Sequence, residues 1–194
     1  MPVNENKQVK ESRKTRYTKM VLRDSLMELM KTKPISAIYI KEICALADIS
    51  RATFYKYYTD QYDLLRKTEE ETFVFIESIF NKYAIYKSDK NATQHLMEEI
   101  LQYIADNNKL IHVLFTENGD IHFQKNLFSS MYKINYLKSI TDKIPDEATK
   151  QYYFLYVVTG TVGLICHWIN NGMNKPITEL AKMIIKITSQ KIWT

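Results

Sequence analysis

The side chains best suited to chemistry lie together in the run Ile40 to Leu65, IKEICALADISRATFYKYYTDQYDLL. Arg51 and Tyr55 are four residues apart, and on a helix they share one face with Ala52 and Lys56. Phe54 and Tyr58, also four apart, fall on the opposite face and belong to a core. The first face offers a guanidinium for guanine or phosphate and a methyl small enough to let a helix lie close in a major groove. Tyr55, Lys56 and Tyr57 add two phenols and an ammonium for phosphate oxygens. Tyr39, Ile40 and Lys41 begin the preceding helix, whose unsatisfied backbone N–H groups are themselves a phosphate site. A plainer reading has Tyr55 packing on the first helix and Lys56 as an ordinary surface lysine.

Short helices must hold these groups. From Arg16 to Lys31, Met20, Val21, Leu22, Leu26, Met27, Leu29 and Met30 recur at three- and four-residue intervals, which predicts an amphipathic helix ended by Pro34. Ile40 to Ala47 forms a two-turn helix with Ile40, Ile43, Cys44 and Ala47 on one face, and Ser50 caps a third helix starting at Arg51. Three short helices, the last two separated by a tight turn, make a helix-turn-helix pattern. A fourth helix runs from about Asp60 to Tyr86 with Leu64, Leu65, Phe73, Ile76, Phe80 and Tyr83 inward. Further helices are expected over Thr93–Asn107, Leu110–Phe115, Ile121–Ile140, from Pro145 to about Asn171 with Gly172 as its stop, and over Pro176–Ile192. There is no internal repeat and no alternating strand pattern.

The segment from Ile40 to Leu65 closely resembles the DNA-binding segment of TetR/AcrR-type transcriptional regulators, in which S-R-x-T-F-Y precedes a D-K-x-x-L-L entry to the fourth helix. The resemblance covers roughly residues 16 to 65. It implies DNA contacts at Tyr39, Ile40, Lys41, Ser50, Arg51, Ala52, Thr53, Tyr55, Lys56, Tyr57 and Gln61. Three departures stand out: Lys33-Pro34 replaces the usual glycine after the first helix, Asp48 the turn glycine, and Tyr57 the histidine before the last aromatic. Near phosphates, Asp48 weakens binding rather than helping it.

Charge follows the same division. Residues 1–67 hold 14 Lys or Arg against 8 Asp or Glu, a net of +6, and residues 68–194 hold 13 against 14, a net of −1. A basic module joined to a near-neutral one suits a polyanionic partner for the first, although a solvated lysine-rich surface gives the same count. In the arm, Lys7, Lys10, Arg13, Lys14, Arg16 and Lys19 either enter a minor groove or add non-specific attraction.

The segments NNKLIHVLFTENGDIHFQKNLF and TGTVGLICHWINNGMNKPITELA are similar to the C-terminal domain of the subgroup that includes the coactivator of bacterial dihydroxyacetone kinase genes. That resemblance implies a dimer formed by the last two helices. Thr159, Gly160, Gly163 and His167 form one stripe, with Met183 and Ile187 on the final helix, although a monomer's own core explains the stripe equally. Phe73, Phe80, Tyr103, Phe115, Phe123, Phe128, Tyr132 and Phe154 either line a pocket for an inducer or form plain core; the pocket assignment rests on Phe80, Tyr103, Phe115, Phe128, Tyr132 and Phe154.

Other chemistries find no support. Four glycines leave little for a phosphate-binding loop, and Cys44 and Cys166, far apart, exclude a zinc ribbon or a CxxC pair and suit a reducing, cytoplasmic setting. His95, His112, His122 and His167 lack metal-ligand spacing, so neither metal, cofactor nor catalytic residue is assigned, and the chain is not read as an enzyme. Met1 to Lys19 lacks the apolar core of a secretory signal. Tyr152 to Ile169, 18 residues without charge, just meets the length of a membrane span, but its polar residues and glycines favour a buried helix.

The expectation is an all-α protein with a flexible basic arm over residues 1–15, a helix-turn-helix DNA-binding domain over 16–62 and a helical dimerisation and regulatory domain over 63–194. It would act as a homodimeric repressor on a palindromic double-stranded operator, with a small-molecule effector at the C-terminal domain and no membrane association. The alternative is a transcriptional coactivator controlled by a protein partner.

Overall fold

A computed structural model describes residues 12–84, 91–115, 144 and 146–188. Among them lie eight α-helices and no strand. The chain divides into two compact units, Met1–Lys67 and Thr68–Thr194.

In the first unit, α1 spans Arg13–Met30, α2 Ile40–Ala47 and α3 Arg51–Phe54, and α4, Gln61–Ala84, begins there and continues into the second. Helix α1 starts three residues before the expected Arg16 because the Ser12 hydroxyl accepts the Thr15 N–H at 3.1 Å, capping the helix inside what the sequence suggested was arm. Its buried stripe is Thr18, Leu22, Ser25, Leu26, Met27 and Met30, while Met20 faces water. Thr18 can lie inside because its hydroxyl donates to the Lys14 carbonyl at 3.0 Å. A 3-10 turn at Ile35–Ala37 follows Pro34, and α1 and α2 pack together, α2 burying Ile43 and Cys44. Asp48 ends α2 in the left-handed conformation (φ 53°, ψ 43°), which lets the Ile49 N–H reach back to the Cys44 carbonyl at 3.0 Å.

In the second unit, α4 turns Thr68, Thr72, Ile76, Ile79 and Phe80 inward, with the Thr72 hydroxyl donating to the Thr68 carbonyl at 2.8 Å. Phe73 and Tyr83, expected inside, are half-buried. Helix α5 spans Ala92–Asp106 and α6 Asn108–Leu114; α7 runs over Glu147–Asn170, capped by Asp146, which accepts the Thr149 N–H at 2.8 Å. Helix α8 spans Ile177–Thr188, packing on α5 and α7. Tyr153 Oη on α7 donates to the Thr188 carbonyl at the end of α8 at 2.7 Å, and Trp168 Nε1 donates to the Lys175 carbonyl in the turn before α8 at 3.0 Å. Gly172 (φ 69°) ends α7 as expected.

The reading of α7 as a buried helix is corrected. Only Phe154, Val158, Ile165 and Trp168 are buried, whereas Tyr152, Leu155 and Tyr156 are 76%, 54% and 61% exposed, and Thr159, Gly160, Gly163 and His167 continue that open strip. The helix is uncharged on every side over most of its length, so hydropathy could not mark which side the chain covers. By length and composition it is long and apolar enough to cross a membrane, and among the described residues no other helix is. Both cysteines are free; Cys44 is buried and Cys166 half-buried, and burial pushes both thiols up from their ordinary pKa.

Candidate nucleic-acid interface

Ser50 starts the third helix. Its hydroxyl accepts the Thr53 N–H at 3.2 Å and lies 2.9 Å from the Thr53 hydroxyl, so both side chains start the helix. Helix α3 is a single turn; beyond Phe54 the chain continues with three-residue bonds, Lys56 N–H to the Thr53 carbonyl at 3.3 Å and Tyr57 N–H to the Phe54 carbonyl at 2.9 Å, beside a four-residue bond from the Tyr58 N–H to the Phe54 carbonyl at 3.0 Å. Phe54 is fully buried and Tyr58 nearly so, their ring centroids 5.7 Å apart. That anchor leaves Arg51, Ala52, Tyr55 and Lys56 exposed and Thr53 and Tyr57 half-buried. Tyr55 is 58% exposed, with its ring edge-on to Phe54.

At the start of α2, Tyr39 is 64% exposed, with the Lys41 ammonium 5.7 Å from the centre of its ring. Ile40 is half-buried and Lys41 exposed. Glu42 accepts the Tyr39 backbone N–H at 2.9 Å through one oxygen and the Lys33 ammonium at 2.7 Å through the other. The Lys33 bond first, and the Tyr39 N–H second, hold its carboxyl below the usual carboxylate range. Lys33, one of the two residues standing where the resembling family has glycine, thus ties the loop after α1 to the start of α2.

At the start of α4, Asp60 Oδ1 accepts the Asp63 N–H at 2.7 Å, and Asp63 Oδ2 accepts the Thr59 N–H at 3.1 Å. Asp63 also meets Arg66 at 2.6 Å and Lys67 at 2.9 Å. The Lys67 hydrogen bond leads the causes that lower its pKa to about 2. Gln61 is half-buried at the helix start.

Sequence reasoning missed Lys33, Glu42, Asp63 and Lys67. Glu42 stands three residues after Tyr39 and Lys67 four after Asp63, the spacings of a capping acid and a helical ion pair, so half of each constellation was signalled. The partners nine and ten residues away in sequence, Lys33 for Glu42 and the Tyr57 carbonyl for Lys67, were not.

The C-terminal candidates separate. Phe80 and Phe154 are buried, Phe115 is half-buried, and half-buried Tyr103 stacks on Phe75 with centroids 4.3 Å apart. Phe123, Phe128 and Tyr132 lie outside the described residues, as do most of the arm and the expected helix over Ile121–Ile140. Thr159, Gly160, Gly163 and His167 share the open strip of α7, and a Cβ added at Gly160 or Gly163 meets nothing within 4 Å. On α8, Met183 is half-buried and Ile187 is 43% exposed. Among the described residues no group of His, Cys, Asp and Glu could hold a metal ion.

Residues 91–190 match the family TetR_C_8, described as a transcriptional regulator C-terminal region. The HTH-type transcriptional regulator YxbF of Bacillus subtilis (strain 168) is 24% identical over 198 residues, covering 98% of this chain and 50% of that protein. The chain therefore spans about half the length of this curated relative. Among solved structures, the dihydroxyacetone kinase operon activator DhaS aligns with a TM-score of 0.58 at 19% identity, over 90% of this chain and 96% of its own. FadR from Bacillus subtilis, in complex with stearoyl-CoA, aligns with a TM-score of 0.64 at 15% identity, over 90% and 99%. At these identities the structural likeness establishes the all-α fold.

Proposed function

Because the chain belongs to the TetR family of transcriptional regulators, we propose that it is a homodimeric, cytoplasmic repressor that binds a palindromic operator and is released by an effector at its C-terminal domain. The observation that carries the DNA-binding part is the outward set of Arg51, Ala52, Tyr55 and Lys56, held by buried Phe54 and Tyr58 on the unit that carries the excess positive charge. Arg51 supplies base-edge or phosphate contacts from within the groove, while Tyr39, Lys41, Ser50, Thr53, Tyr57 and Gln61 flank it along the backbone, with Ile40 at the start of α2. Two copies joined by the open strip of α7 would present two such helices to successive major grooves. The uncharged strip with its glycines suits another helix better than water, which supports pairing with a second copy.

Arg51→Ala and Tyr55→Ala test the reading. Each should weaken operator binding about tenfold or more, as loss of a base or phosphate contact does, while the circular dichroism melt stays that of the parent. Unchanged affinity in a gel-shift titration refutes it.

The effector is the less constrained part. The likeness to acyl-CoA-bound FadR makes stearoyl-CoA the first compound to try as a releasing ligand. The likeness to DhaS, an operon activator, favours activation as the second reading; in that reading the chain is a coactivator, and a protein partner takes the effector's place. Deleting the gene separates the two outputs: target transcripts rise if the chain represses and fall if it activates.

A further inference from the structure

Lys67, the last residue of the first unit, joins two parts of that unit distant in sequence. Its ammonium donates to the Tyr57 carbonyl at 3.0 Å, ten residues back, and to Asp63 Oδ2 at 2.9 Å, one turn earlier on α4. It also lies 5.3 Å from the centre of the Tyr58 ring. One side chain on α4 therefore grips the segment that follows α3 in two ways, by a backbone carbonyl and by the ring that anchors the segment to Phe54.

A grip of this kind matters because α3 is so short. A single helical turn is marginal by itself, and its last carbonyls bond only to the N–H groups of the segment that follows it, residues 55–58. The direction in which Tyr55, Lys56 and Tyr57 point is therefore set by what the segment is tied to. One tie is the burial of Phe54 and Tyr58. Lys67 supplies another, and Asp63 aims it: that carboxylate also takes the Thr59 N–H at 3.1 Å and Arg66 at 2.6 Å, so it is fixed from three sides. The Lys67 charge is directed inward, toward a carbonyl and a carboxylate, although 41% of the side chain is open to solvent.

We propose that Lys67 is a positioning residue for DNA recognition: aimed by Asp63, it fixes the Tyr57 carbonyl and the Tyr58 ring, and through them the outward direction of Tyr55, Lys56 and Tyr57, without itself touching DNA. The inference rests on the reading of residues 39–61 as the DNA interface. A protein lacking the grip still folds, but only a fraction of its recognition segments hold the competent geometry, and the apparent dissociation constant rises by the inverse of that fraction.

The experiment uses the full chain and a duplex selected from a random-sequence pool on the parent protein. Lys67→Met and Lys67→Arg are titrated against it in gel shifts across salt concentrations, well below each protein's melting temperature. Removing one charge-assisted bond predicts a loss of about tenfold for Lys67→Met. Its slope of log affinity against log salt should equal the parent's, because no phosphate contact is lost. Lys67→Arg, which keeps charge and donors, should stay within about threefold of the parent. If Lys67→Met does not fold, Asp63→Asn takes its place with the same two expectations, since it frees the ammonium from its aim.

Several results overturn the proposal. A slope shallower by roughly 0.9 per lost contact marks Lys67 as a phosphate ligand instead. Parent-like affinity with a lowered melting temperature marks a purely stabilising residue. A loss in Lys67→Arg equal to that in Lys67→Met removes the role of the charged grip. Selection that yields no duplex overturns the DNA-binding reading and this proposal together, whereas a tight parent complex with an indifferent Lys67→Met overturns this proposal alone.

Discussion

Replacing Asp48 with glycine should make the protein more stable and bind DNA more tightly. Asp48 holds φ 53° and ψ 43° at the end of α2, and its side chain is exposed. A left-handed backbone costs an L-residue about 1–2 kcal/mol, somewhat less for aspartate, whose short polar side chain tolerates it. Glycine gives back about 0.5 kcal/mol or more through its greater freedom in the unfolded chain. Aspartate also places a negative charge at the C-terminal end of α2, an unfavourable position worth about 0.3–1 kcal/mol. Together these predict a gain of about 1 kcal/mol for Asp48→Gly. Asp48→Ala removes the same charge but keeps the strain, so it should stay within about 0.5 kcal/mol of the parent. Urea unfolding at one fixed protein concentration reads the difference as a shift of roughly 0.5 M in midpoint without a change in slope. The substitution also raises the net charge of residues 1–67 from +6 to +7, which should tighten operator binding most at low salt. If Asp48→Gly is no more stable than Asp48→Ala, backbone strain is not what glycine relieves at this turn.

Asp63 predicts an acid dependence. Its carboxyl titrates at about 2 in the folded chain, below its ordinary value of 3.8, so its contribution is complete above about pH 5 and disappears as pH falls toward 2. Asp63→Asn should therefore be less stable than the parent at pH 7, with the gap closing by pH 2; a gap independent of pH in urea titrations would contradict the assignment. Gly163→Leu should leave the monomer fold intact, since an added Cβ meets nothing within 4 Å, yet shift the protein from dimer to monomer in sedimentation equilibrium. An unchanged dimer would place the interface elsewhere.

The helix-turn-helix was legible because its signals are local. Ser50 as a cap, Pro34 as a stop and the four-residue spacing of Phe54 and Tyr58 each act within one turn, and the structure keeps all three roles. Three things escaped for one reason, that contacts beyond a few residues decide them. Thr68 and Thr72 are polar by type yet lie inside, Thr72 satisfying its hydroxyl on the helix's own backbone. The grip of Lys67 on Tyr57 spans a turn that no periodicity describes. The exposed side of α7 carries the same uncharged residue types as its buried side, and among the described residues the packing of α6 and α8 on one side distinguishes them.

The two cysteines leave a chemical window. A thiol reacts through its thiolate, and burial that raises the pKa of Cys44 and Cys166 leaves both slow toward maleimides and oxidants at neutral pH. A new thiol at an open position, such as Lys56→Cys beside the recognition turn, would react first without removal of the native pair. The chain therefore accepts a spin label or fluorophore at this turn almost as it stands, and, in the proposed dimer, the distance between two such labels would report on the spacing of the two turns in solution.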